Sequence, residues 1–561
     1  MKFFATLATS VFLVSTALSQ DPTKVCIWKG TSSDPKNKYW NVGANWVGNQ
    51  APAPLSSNIY VFQGDYHPVP DNWPFLTNSL GTSILIFSNT ITSADLSIKM
   101  LAGSNNTMNF GSYVRQDSPK PMYWGCTGPV PVSTWWVTNA FFTNALGNAS
   151  VGGQTDFQCT GGRFDLYGVV KDGAGTHSKL VKSGNNTLHL TGDLLLGNDA
   201  NTYSGGTFVN GAGAVKLGKL GGFFAIPGDV TVNADGASLY DNSPGGDQIA
   251  HGAIVTLNGA SSSFYLRSQP YVVQTVQGTN TSAYITLFEG GTVGPATLTV
   301  APSSATNYAV GGLGESDFYG YINGSGGEVD MNGTGTYGML GTPNSVDTLI
   351  VNSGTLKVNG NSGTVAVTVN SGGTLLGIGV IAAPVTVASR GSMGAGFGAG
   401  TLTLAAGLDL SASGNGPTNV WEMAALKDNG TGVAGTDFDQ IVLTGGNLAL
   451  GGSSTLSIRF IGSATPPNAS TPFWQSAHTW TIISLNGGAN PGNSNFGSVQ
   501  NGSYAAGNFT MSVDGSGNVL LTFTPNVAPP VTHLRITLIT NTGPGSVTVS
   551  YTNTLPCTNY V

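Results

Sequence analysis

The segment 367–393 reads VTVNSGGTLLGIGVIAAPVTVASRGSM, so that VTVNSGGTL returns within a few residues as VTVASRGSM. Val351, Val369 and Val387 stand 18 residues apart, each followed by a small polar turn and a second short alternating strand. Looser copies start at Val209-Asn210-Gly211, Val232-Asn233-Ala234 and Leu257-Asn258-Gly259, at intervals of 23 and 25. A short unit that recurs at a variable spacing near 20 residues predicts a solenoid whose rungs tolerate loops. Neighbouring rungs of a parallel β-helix lie ~4.8 Å apart and bond through the backbone, so equivalent positions must repeat. Val, Leu and Ile are then expected inside a narrow core. Asn and Gly are expected at corners that need left-handed backbone. The predicted fold class is all-β, a parallel β-helix, with an antiparallel sandwich as the alternative.

Composition fits that expectation. Only 8% of residues are charged, whereas an ordinary globular chain has about 25%, which leaves few residues for the wet face of amphipathic helices. Glycine contributes 81 of 561 residues. Like charges at equivalent positions would stack on one another between rungs, which disfavours charge in the repeat. The net charge of -7 and the lack of a basic stripe argue against nucleic acid as a partner.

A second level of duplication overlies the first. Asp165-Leu166-Tyr167-Gly168 recurs as Asp317-Phe318-Tyr319-Gly320, each followed by a Gly-rich run and a Val-Asn turn. Two blocks carry a family resemblance. The first is LVKSGNNTLHLTG (180–192) with NTYSGGTFVNGAGAVKLG (201–218), and the second is 367–404. They resemble the autotransporter-associated β-strand repeat, also called the passenger-associated transport repeat. With looser copies the resemblance covers about half the chain. It departs from the family at Gly394-Ala395-Gly396, where a Pro-Gly turn is usual. The resemblance implies a right-handed parallel β-helix in a large secreted or surface-displayed bacterial protein, with an adhesin or matrix role. It supplies no catalytic residues. The aromatic-rich strands of an outer-membrane barrel are not found here, so the resemblance is to the passenger part.

The ends differ from the middle. Residues 1–19 pair Lys2 with an apolar run and small residues before the cleavage point, and read as a secretory leader. No later apolar run is long enough to cross a bilayer. Residues 20–160 form an expected aromatic-rich β cap, since seven of the ten Trp precede residue 137. Trp40, Trp46, Trp124, Trp135 and Trp136 are candidates either to close the open core or to stack on sugar rings. Residues 161–410 are the expected helix repeats, 411–524 a C-terminal β module, and 525–561 a Pro-rich linker with an incomplete sandwich-like tail. Cys26, Cys126, Cys159 and Cys557 permit disulfides after export, but their connectivity is not readable from spacing.

The functional expectation is an exported structural or adhesive protein, with polysaccharide or matrix glycans as partners. The alternative is a secreted polysaccharide lyase or glycoside hydrolase on the same scaffold. The chain has only four Glu and six Arg, and no HExxH, GxSxG or phosphate loop. Asp437-Phe438-Asp439 is expected to put two carboxylates on one strand face, and Glu315 precedes Asp317, so Asp437, Asp439 and Glu315 are the weak candidates for carboxylate chemistry. The six His are scattered and the Asp residues keep no calcium-nonapeptide period, so neither a metal nor another cofactor is expected.

Overall fold

The computed structural model describes residues 152–526 apart from short stretches between strands, isolated strands between residues 25 and 146, and a strand pair within 535–552. The proposed leader, Trp40, Trp135, Trp136, Cys126 and Cys557 lie outside the described residues. Strands dominate, and no α-helix occurs among the described residues. Most pairings are parallel and join strands that are not neighbours in sequence, as the predicted all-β parallel β-helix requires. Two units can be separated, one essentially up to residue 350 and the other essentially from 357 onward.

In the first unit a ten-strand ladder runs from Val25–Trp28 through Gln154–Cys159, Lys179–Ser183, Thr207–Val209, Val230–Val232 and Ile254–Leu257 to Thr275–Gln277. Its register places Val209 beside Val232 and Val232 beside Leu257, which are the spacings read from the sequence. A second ladder stacks Phe164–Tyr167, Leu188–Thr191, Ala214–Gly218, Ser238–Asp241, Ser263–Arg267, Tyr284–Phe288 and the long strand Tyr321–Met339. Most buried residues of both ladders are apolar, among them Leu180, Val209 and Val232 in the first and Leu190, Leu217, Leu239, Phe264 and Ile285 in the second, with Thr155, Thr207 and Thr275 among the polar exceptions.

The corners match the expectation in part: Gly354 and Gly372 of the Val-Asn-Ser-Gly turns have positive φ, 68° and 89°, while the Asn of each Val-Asn turn is not in the left-handed region. Instead the exposed amides form a ladder. Asn233 Nδ2 donates to Asn210 Oδ1 at 3.0 Å, Asn258 Nδ2 to Asn233 Oδ1 at 3.0 Å, and Asn280 Nδ2 to the Asn258 carbonyl at 3.3 Å. An amide carries both a donor and an acceptor, so a column of Asn can bond to itself where a column of Asp would repel. The glycines after Asn210 and Asn258 serve a separate need. A Cβ at Gly211 or Gly259 would run into the carbonyl of Gly184 or Ala234 on the preceding rung.

In the second unit three ladders begin with short rungs. Val367 pairs with Val385 and Val369 with Val387, and Asn370 Nδ2 donates to Asn352 Oδ1, 18 residues earlier, at 2.7 Å. Parallel pairing then passes residue 410 without a break. Val385–Val387 is followed by Leu408–Leu410 and Leu448–Leu450, and Ser392–Ala395 by Thr418–Met423, Thr455–Phe460 and Ser498–Gln500. The expected C-terminal module is thus a continuation of the ladders, with longer rungs. Thr455 and Ser498, bonded to each other, are 43 residues apart. The 18-residue period fades because loops lengthen, while the strands keep their places. Antiparallel strand pairs follow later in this unit, where His478–Leu485 meets Val519–Pro525, which in turn meets Gly507–Val513. The tail holds a separate antiparallel hairpin, Arg535–Gly543 with Ser546–Thr552.

Candidate glycan-contact face

The second ladder of the first unit carries a stripe of tyrosines on its outer face. Strand alternation produces it, because residues either side of a buried core position must point outward. Leu239, Phe264, Ile285 and Ile322 are buried, and Tyr240, Tyr265, Tyr284 and Tyr321 beside them are half-buried. Tyr240 lies opposite Tyr265, and Tyr284 opposite Tyr321. Ring centroids are 5.6 Å apart for Tyr240 and Tyr265, 5.8 Å for Tyr265 and Tyr284, and 5.5 Å for Tyr284 and Tyr321. The last pair is nearly parallel at 12° and the middle pair is perpendicular at 88°. The hydroxyls of Tyr265 and Tyr284 share a hydrogen bond of 2.7 Å. Burial, together with that hydroxyl neighbour, pushes the Tyr265 phenol up to about 12.

Among the described side chains, one cation, Lys216 Nζ, sits 5.4 Å from the Tyr240 ring centre, on the rung before it. Ser238, Thr286 and Asn323 are half-buried and lie two residues from a tyrosine on the same strand. The face therefore offers aromatic edges and uncharged hydroxyl and amide groups, the chemistry that suits sugars better than ions.

The tryptophan candidates fare differently. Trp46 is 1% exposed, packed edge-on against Trp28 at 5.1 Å and against Tyr60 at 5.7 Å. It closes core, and no sugar can reach its ring. Trp124 ends the strand Met122–Trp124, but its side chain lies outside the described residues. Trp40, Trp135 and Trp136 are outside them altogether.

The carboxylate candidates are held apart by their partners. The strand after them starts at Gln440, so Asp437 and Asp439 share no strand face. Asp437 sits in a turn, where the Val433 backbone N–H at 2.8 Å and Lys427 hold its carboxyl below the usual range. Asp439 is buried, and its two oxygens accept the backbone N–H groups of Gly400 and Glu422, each at 2.9 Å. Burial outweighs those donors and pushes its carboxyl up to about 9. Both carboxylates therefore staple loops to rungs. Glu315 opens the strand Glu315–Phe318, and its side chain lies outside the described residues. In the duplicated motif Asp165 and Asp317 are both buried on parallel strands. Asp165 is flanked by Arg163 Nε at 2.7 Å and His189 Nδ1 at 3.2 Å, a structural pairing of one rung with the next.

Cys159 is a fully buried thiol that burial pushes up to about 12, which makes it inert as a nucleophile. No group of metal-ligating side chains, and no helix long and apolar enough to cross a membrane, occurs among the described residues. Sequence reasoning missed the tyrosine stripe. The signal was present, because Tyr240, Tyr265, Tyr284 and Tyr321 align once the Val-Asn repeats supply the register. No protein-family model matches the chain, and no curated protein matches it significantly.

Proposed function

We propose that this chain is an exported bacterial β-solenoid with a structural or adhesive role at or outside the cell surface. In this reading it holds neutral glycans on the tyrosine face of its first unit. The observation that carries it is the stripe of stacked and edge-on rings of Tyr240, Tyr265, Tyr284 and Tyr321. Tyrosine combines an apolar ring with a polar tip, so it can pack against pyranose C–H groups while its hydroxyl bonds to sugar hydroxyls. The leader-like residues 1–19 support export, and the resemblance of 180–218 and 367–404 to passenger repeats points the same way.

The test is incubation of the purified chain with insoluble polysaccharides such as cellulose, xylan and chitin, measuring bound protein and released sugar in the same tubes. Binding without release is expected, with retention reduced severalfold in Tyr240→Ala and Tyr321→Ala. Release of reducing or unsaturated ends would replace this reading with an enzymatic one. Retention that the tyrosine variants leave unchanged would remove the stripe from it.

A further inference from the structure

We propose that Tyr265 and Tyr284 form an oxidative cross-linking site, at which a one-electron oxidant of the peroxidase and hydrogen peroxide class joins two adjacent rungs through a dityrosine bond. The inference stands apart from glycan binding and needs no ligand.

Three features of the pair support it. The two residues are diagonal neighbours on adjacent strands, Tyr265 lying opposite Thr286 and Tyr284 opposite Ser263. Their rings are perpendicular and their hydroxyls are 2.7 Å apart. In the coupled product the new bond joins the two carbons ortho to the hydroxyls. Those hydroxyls then flank the bond and hydrogen-bond across it, with the rings twisted out of a common plane. The native pair already holds the hydroxyl contact, so the rings, with centroids 5.8 Å apart, need only turn and close on each other to bond. Pre-alignment of this kind converts a bimolecular encounter into an intramolecular one, the largest advantage a scaffold can give to coupling.

The hydrogen bond fixes the two hydroxyls side by side. Each phenol loses one electron and its hydroxyl proton to give a phenoxyl radical, the proton leaving to water. The radicals couple at their ortho carbons. Each ring then loses its ortho hydrogen as the phenol is restored. Overall two C–H bonds become one C–C bond, with two electrons and two protons passed to one hydrogen peroxide, which leaves as two waters. Both side chains are half-buried rather than enclosed, so the oxidant can reach the pair. Tyr240 and Tyr321, with centroids 5.6 and 5.5 Å away, extend the stripe so that a radical formed on any of the four can migrate to the bonded pair.

The experiment treats the full chain, dilute, with peroxidase and hydrogen peroxide, and reads dityrosine fluorescence alongside mass mapping of the digest. The expected result is an intrachain cross-link between the peptides carrying Tyr265 and Tyr284, lighter by two hydrogens than their sum. Fluorescence should fall to background in Tyr265→Phe and in Tyr284→Phe, and persist in Tyr240→Phe. A cross-link mapping to another pair, one formed only between chains, or tyrosine oxidation without any dityrosine would overturn the proposal. The mapping of the native chain decides the matter even if a variant fails to fold.

Discussion

At the scale of single residues, this fold turns on what a side chain meets on the next rung. Gly259 and Gly252 make the point together. A Cβ at Gly259 would strike the Ala234 carbonyl, and Asn258 beside it is tied to Asn233. A Cβ at Gly252 meets nothing within 4 Å. Gly259→Ala is therefore expected to destabilise the first unit by about 2 kcal/mol or more, and Gly252→Ala to stay within about 0.5 kcal/mol. Urea midpoints of the two variants measure this, and equal midpoints would refute the close-approach argument. Asp439 supplies a pH effect. Its folded carboxyl is raised from 3.8 to about 9, so the folded state holds a proton that the unfolded chain releases. Stability from this group is present in full below about pH 4 and declines as pH rises toward 9. Burial raises Glu422 as well, with the same sign. Asp439→Asn should flatten the decline in unfolding midpoint between pH 5 and pH 8, while costing about 1–3 kcal/mol because its amide nitrogen cannot accept a backbone N–H. A slope identical to that of the parent would exclude Asp439 as its source.

At the scale of elements, the strands were more legible than the loops. The alternating Val-Thr-Val pieces predicted both core and register, and the structure pairs Val369 with Val387 as their spacing requires. Rungs of 43 residues hide the same strands, because nothing in a long loop marks where the period resumes. Tryptophan also organises the C-terminal part of the second unit, where the sequence shows no cluster of it. Trp421, Trp474 and Trp480 are buried within the second unit. Trp474 lies 5.9 Å from Phe460, 6.4 Å from Trp480, 5.9 Å from Phe509 and 4.8 Å from Phe523. These rings join the long loop of a late rung to the antiparallel strands Gly507–Val513 and Val519–Pro525. Trp474→Ala is expected to cost about 3–5 kcal/mol. Amide exchange should accelerate across 507–525 and stay unchanged in Ala366–Val369 and Val385–Val387, and uniform acceleration would argue against a local ring cluster.

For the molecule as a whole, repetition decides which features a sequence can reveal. A fold built from neighbour contacts repeats its core requirements at every rung, so short motifs expose it even without a relative. A surface site obeys no such repetition. The tyrosine stripe occupies only four rungs, and its members separate in the chain as loops dictate. The asparagine ladder has a mechanical consequence. Backbone hydrogen bonds in a parallel stack point along the line on which rungs are stacked, so a pull in that direction loads them in tension and rungs can peel away one after another. Asn233 bonds backward to Asn210 and forward to Asn258, so the first unit resists that peeling through three rungs at once. The exposed amides, individually worth about 1 kcal/mol, then act as stitches that slow a tear.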